Sequence, residues 1–170
     1  VGSLFHVGNL AARATSNAIG EKPLLKGVLA GLLLGILGCV LPFTMFAGET
    51  QGVELETLWV SMGAFALIAT ALCKPFAIQF CLNLGWRGGA FFPMIFSGIS
   101  LGYGMAALTG ADPVFCLCAC TAATMGAMMR QPLMAVLLLL LCFPIRCVPV
   151  LLVAAATGSV IPLPKKLLGK

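Results

Sequence analysis

Charge is the scarcest commodity in this chain: 9% of its 170 residues are Asp, Glu, Lys or Arg, whereas soluble domains carry about 25%. So few charges cannot cover a water-facing surface, and 61% of the residues are hydrophobic, which places the chain in a lipid bilayer and excludes soluble binding modules. The ten Lys and Arg against five Asp and Glu are scattered singly, so the basic stripe that nucleic acid requires is missing. There is one histidine, His6, and it sits in a polar-flanked terminal segment where a proton-carrying role is not expected. There is no H-E-x-x-H, no G-x-S-x-G and no acid pair inside an apolar run, so the chain reads as a non-enzyme with no catalytic residue. The eight cysteines form no C-x-x-C pair and have no neighbouring His or acid, so they read as small packing residues, with no metal and no cofactor expected. The opening residues lack a basic region followed by an apolar core, so no cleavable signal peptide is expected; residues 1–20 read as the end of a preceding helix.

What the sequence does have is a succession of apolar runs cut by glycine and proline. Residues 24–46 are about long enough to cross a bilayer core, and Pro42 kinks or ends that helix. Gly27, Gly31 and Gly35 recur every four residues along it, a stripe expected to let a neighbouring helix approach closely. Residues 47–57 carry Glu49, Glu54 and Glu56 and read as a solvated polar loop. Helical character resumes over residues 58–84, with Lys74 and Pro75 predicted to divide it into two tilted or broken helices. Residues 93–108 form the next helix, with Gly98 and Gly102 as another small-residue pair. Asp112 as N-cap and Pro113 at the first helical position open a helix that runs to Met129. Arg130 and Pro132 mark a break, and Arg130 is expected to satisfy helix C-terminal carbonyls. Short apolar helices then cover residues 132–143 and 147–161, and a basic tail, residues 163–170, forms a short terminal helix at a membrane surface. The expected fold is an all-α polytopic membrane protein of seven to eight tilted and broken helices, in which unwound backbone lines a cavity or is buried in protein.

One break stands out. In "GWRGGAFFPMIF", residues 85–96, three glycines and an arginine interrupt the apolar pattern and a helix restarts at Phe92 or Pro93. A restarted helix leaves its first N–H groups without intrahelical acceptors, at the positive end of the helix dipole, where an anion is the natural partner. Gly88 and Gly89 let an ion approach the backbone, Phe91 and Phe92 wall off water, and the segment Gly88, Gly89, Ala90, Phe91, Phe92, Pro93 is the candidate anion site. Partial charges bind weakly enough to release the ion. Arg87 either raises the anion concentration at an entrance or snorkels to the interface.

These residues carry a resemblance. "GGAFFP" resembles the G-x-F-x-P signature of the CLC family of chloride channels and chloride/proton exchangers; "LLKGVLAGLLLGILG" followed by "FAGETQG" resembles that family's glycine-rich helix and the loop after it. "MGAMMRQPLMAVLLLL" is similar to its G-x-x-x-x-x-R-x-P-L-T segment, with Met134 in place of the usual Thr. The resemblance implies that residues 1–170 are the C-terminal half of a CLC-type inverted-repeat transmembrane domain. It implies transport of chloride or another small anion, and need of an N-terminal half that supplies serine- and glutamate-bearing loops. It also implies a homodimer in contact through residues 132–143 and 148–160, and a multi-pass location in the plasma (inner) membrane. Where the family places a tyrosine that donates to the central anion, this chain has Pro164, which cannot donate; its single tyrosine, Tyr103, lies in another helix. That departure supports an alternative reading, a non-conducting membrane scaffold that keeps the fold. Lys22 and Lys26, with Lys165, Lys166 and Lys170, put those ends on the cytoplasmic side by the positive-inside tendency.

Overall fold

The computed structural model describes residues 1–45 and 48–161. Among them eight α-helices follow one another with no strand: α1 (Gly2–Ile19), α2 (Pro23–Val40), α3 (Glu49–Met62), α4 (Ala64–Asn83), α5 (Phe91–Thr109), α6 (Pro113–Met129), α7 (Pro132–Leu139) and α8 (Val148–Val160). A single 3-10 turn, Pro42–Thr44, follows α2, and another, Ile145–Cys147, precedes α8. Three helices, α2, α4 and α5, are long and apolar enough to cross a membrane. The chain thus has the all-α membrane architecture its sequence predicts.

Helix α6 is the hub, packing on α5, α8, α1 and α7. Its start is the predicted one: Pro113 is the first helical residue, and Asp112 Oδ1 accepts from the Phe115 N–H at 2.8 Å. The Gly98 and Gly102 pair lets α5 lie directly on it. A Cβ at Gly98 would fall 2.5 Å from Thr121 Cα, and one at Gly102 would fall 2.7 Å from Leu117 Cα. Both obstacles are backbone and cannot swing away. Gly126 of α6 and Gly158 of α8 meet the backbone of Ala155 and Ala123 in the same way. The apolar core fills in around these approaches, with Met94, Cys118, Ala122, Met125, Leu139, Leu151 and Ala155 buried together.

Four expectations are corrected. Residues from Glu49 onward are not a loop: they are α3, whose exposed Glu54 and Glu56 hid the burial of Gln51 and Leu55, four residues apart on one face. Gly48 makes that helix start possible, since it has φ 101° and a Cβ there would also strike Phe96 Cβ at 2.6 Å. Second, Lys74 and Pro75 do not divide the 58–84 segment; the break falls at Gly63, with φ 75°, and α4 runs unbroken through Pro75. Pro75 has no N–H for the Ala71 carbonyl one turn earlier, and the Ser97 hydroxyl of α5 donates to that carbonyl instead. Ser100 does the same one turn on, donating to the Leu67 carbonyl at 2.8 Å. Third, no helix of the described residues packs on the glycine stripe of α2: Gly27 and Gly35 have nothing within 4 Å of a built Cβ, and Gly31 meets only the Trp86 ring at 3.9 Å. Fourth, α7 stops at Leu139 instead of reaching Phe143, its last turn tightening into Leu141 N–H to Leu138 O and Cys142 N–H to Leu139 O bonds.

The Ser97 bond predicts a coupled pair of substitutions. Ser97→Ala leaves the Ala71 carbonyl unpaired and is expected to cost about 1–3 kcal/mol of stability. Pro75→Ala returns the missing N–H, so Ser97→Ala in that background is expected to cost much less. Unfolding in detergent of the two single variants and the double variant checks this, and additive losses would contradict it.

Candidate anion-binding site at the start of helix α5

The end of α4 sets the geometry. Leu84 N–H bonds to Phe80 O at 2.9 Å and Trp86 N–H to Cys81 O at 3.0 Å around Gly85, whose φ of 96° turns the chain out of the helix. Residues 85–89 then run exposed, Ala90 is the half-buried N-cap, and α5 begins at Phe91, slightly earlier than the predicted restart at Phe92 or Pro93. Pro93 fits the first turn because an N–H there would have no intrahelical acceptor. Intrahelical bonding starts with Met94 N–H to Ala90 O at 3.2 Å. No side chain caps the helix, and among the described residues no acceptor takes the N–H groups of Phe91 or Phe92. The helix therefore presents two bare donors at its positive end.

The candidate residues divide between two cavities. Arg87, Gly88, Gly89 and Pro93 line one of about 510 Å³, walled by α4 residues Lys74, Ala77, Ile78, Cys81 and Leu82 and by Gly31, Leu34 and Gly35 of α2. Those α4 positions recur at three- and four-residue intervals and form one helix face. Gly31 and Gly35 of the α2 stripe thus border this cavity, with no helix of the described residues against them. Phe92 lines a second cavity of about 500 Å³ with Glu56 and Tyr103. Phe91 packs against the α6–α8 core, its ring edge-on to Phe92 with centroids 5.5 Å apart. Pro164 and the tail 163–170 lie outside the described residues.

Lys74 was read from sequence only as a helix interruption. It is 1% exposed, and its Nζ donates to Phe43 O at 2.8 Å, Met45 O at 3.3 Å and Gln51 Oε1 at 3.1 Å. These three acceptors use all three N–H bonds of an ammonium, and the Phe96 ring lies 3.9 Å from Nζ on a further side. One side chain of α4 thereby ties down the turn after α2 and the first turns of α3. The signal that could have found it is an ionisable residue alone in an apolar run, which is too expensive to keep without partners. Arg130 does the capping work expected of it: it is the αL C-cap of α6, with φ 57°, and its Nη1 donates to Ser159 O at the end of α8. His6 Nε2 lies 3.2 Å from Ala127 O, joining α1 to α6.

Each acceptor left unpaired costs about 1–3 kcal/mol. Lys74→Met, which strands three, is expected to lower the unfolding midpoint in detergent by clearly more than Gln51→Leu, which removes one partner. Equal losses would show that the two carbonyls do not depend on Lys74.

Comparison with known proteins agrees with this architecture. A family described as voltage gated chloride channel matches residues 1–162. The YfeO proteins of Salmonella newport, Salmonella agona and Salmonella typhimurium, whose names assign them ion transport by inference, are 31% identical over 101 residues. That match takes in 59% of this chain and 24% of theirs, so the matched segment spans about a quarter of those relatives' length. No solved structure gives a significant match. A match across nearly the whole chain, on a bundle of broken apolar helices, means that the chain belongs to the voltage-gated chloride channel family, a family of channels and transporters and not of enzymes.

Proposed function

We propose that this chain is the C-terminal half of a CLC-type transmembrane domain and forms one side of a pathway for chloride or a similar small anion. The observation that carries the reading is the start of α5: the Phe91 and Phe92 N–H groups have no acceptor among the described residues, and the residues before and after them, Gly88, Gly89 and Pro93, open onto a cavity. Backbone donors at a helix N-terminus suit an anion that must also leave, because no full charge need touch it. Arg87, exposed on the same cavity, raises anion concentration at its mouth. The other half of the binding shell comes from the N-terminal half of the same fold. Family membership and the ion-transport names of the relatives support the reading.

The protein works as a homodimer in the plasma (inner) membrane, with the Lys22 and Lys26 end of α2 cytoplasmic. Helices α7 and α8 pack on each other and leave Leu133, Leu137, Val153 and Val160 exposed, an apolar face suited to the dimer contact.

Gly88 and Gly89 provide the test, because a Cβ on either meets nothing within 4 Å and neither has a positive φ. Folding has no need of glycine there. Gly88→Val and Gly89→Val are expected to leave the unfolding midpoint unchanged while lowering chloride efflux from liposomes severalfold, and substitution of Phe91 or Phe92 is expected to change halide preference. Unchanged flux in all of these variants sinks the site. If the full-length wild type moves no halide at all, the non-conducting scaffold takes the place of transport.

A further inference from the structure

We infer that the second cavity, of about 500 Å³ between α3, α5, α6 and the residues after α7, is a binding site for a free organic ammonium ion, held by the Glu56 carboxylate and the Tyr103 hydroxyl among aromatic walls. The inference stands apart from the anion reading, because it concerns a different cavity and a ligand of opposite charge, and it needs no transport.

Glu56 is the one charged residue among the described lining, and no cation faces it across the cavity. A carboxylate on an apolar wall is costly to keep without a partner of opposite sign. Gly52 stands one turn earlier on the same face of α3, and a Cβ there would meet nothing within 4 Å, so the way to the carboxylate is open. Tyr103 lines the same cavity. It is 7% exposed, yet among the described residues its hydroxyl has no hydrogen-bond partner, which a buried tyrosine normally finds. Trp59 stacks on its ring, with centroids 5.3 Å apart and planes 19° from parallel, and so fixes the position of the phenol. No hydrogen bond joins Glu56 to Tyr103. A ligand that carries N–H donors can bridge them, because the carboxylate and the phenol oxygen both accept.

The rest of the lining selects the class of ligand. Phe92, Phe96 and Phe143 supply aromatic surface, which attracts a cation and packs against an aryl or alkyl body. Phe96 already faces the Lys74 Nζ at 3.9 Å, so Phe92 and Phe143 remain for the ligand. An anion would meet Glu56 and find no positive side chain. A lipid headgroup of the ethanolamine or choline type carries the right cation but brings a phosphate with it, and the described lining has nothing to pair that phosphate. A free amine with one positive charge and an apolar body satisfies the carboxylate, the phenol and the rings together, and the cavity has the size of ordinary small-ligand sites.

The probe is phenethylammonium, and the measurement is calorimetric titration of the full-length protein in an uncharged detergent at constant chloride, with protein-free micelles as the blank. Saturable binding is expected. Glu56→Gln is expected to weaken it about tenfold and Tyr103→Phe severalfold. Both variants are expected to keep the wild-type unfolding midpoint, since neither polar group has a partner among the described residues to lose. Phenylpropionate, of similar shape and opposite charge, is expected not to bind, and uncharged phenylethanol to bind about tenfold more weakly than the ammonium. Absence of saturable binding to the wild type overturns the inference, as does binding indifferent to both substitutions or equal binding of phenylpropionate. Should Glu56→Gln fail to fold, Tyr103→Phe and the two analogues decide by the same criteria. Titration in nanodiscs separates a free amine from a lipid headgroup. Equal affinity in phosphatidylglycerol and phosphatidylethanolamine bilayers is expected, whereas loss of binding in phosphatidylethanolamine alone means that the lipid's own ammonium fills the site and overturns the assignment to a free amine.

Discussion

Away from water, every backbone N–H and C=O must find a partner within the protein, and most of this structure follows from how that demand is met. Regular helix satisfies most of the groups. At three interruptions a particular side chain reaches in. Pro75 frees the Ala71 carbonyl and Ser97 donates to it. The turn after α2 exposes the carbonyls of Phe43 and Met45, and Lys74 donates to both. The end of α8 leaves the Ser159 carbonyl, and Arg130 donates to that. In each case the donor comes from a different helix, so meeting a local demand also fixes how two elements lie together.

At the start of α5, as at most helix starts of the described residues, no side chain reaches in. Its first two N–H groups have no protein acceptor among the described residues, and the glycines beside them leave the backbone bare. A donor left open at the positive end of a helix, beside bare glycine backbone, suits a negatively charged ligand. The cations gather on the same side: Lys74 is buried in the cavity wall and Arg87 stands at its surface. Lys74 therefore ties the α2–α3 connection to α4 and lines the cavity that Gly88 and Gly89 also line.

Local features were legible in the sequence where they depended on local chemistry. Asp112 and Pro113 announced a helix start because both act within one turn, and the Gly98 and Gly102 pair announced a close helix contact because only backbone fits there. The break before Phe91 was legible for the same reason, since Gly85, Gly88 and Gly89 crowd into five residues around Arg87 and Pro93 follows them. Features that depended on a partner from elsewhere were misread. Pro75 looks like a helix break until Ser97 supplies its missing bond, and residues 49–57 look like a loop until α4 and α5 bury Gln51 and Leu55. The stripe at Gly27, Gly31 and Gly35 has the period of a packing face, yet Gly31 and Gly35 border a cavity, because the same absence of side chains serves a neighbouring helix or an open space equally well.

By itself the sequence determined that this is a membrane protein of broken helices, because 9% charged residues cannot clothe a water-facing surface and glycine and proline act on the backbone wherever they stand. It also determined that a helix restarts just before Pro93 with its amides uncapped. Only the tertiary structure decided which breaks are real, where the cavity lies and that Lys74 belongs to it. Those outcomes depend on donors and acceptors distant in the chain, Ser97 with Ala71 and Lys74 with Phe43, whose meeting is set by helix packing and leaves no periodic trace in the residues between them.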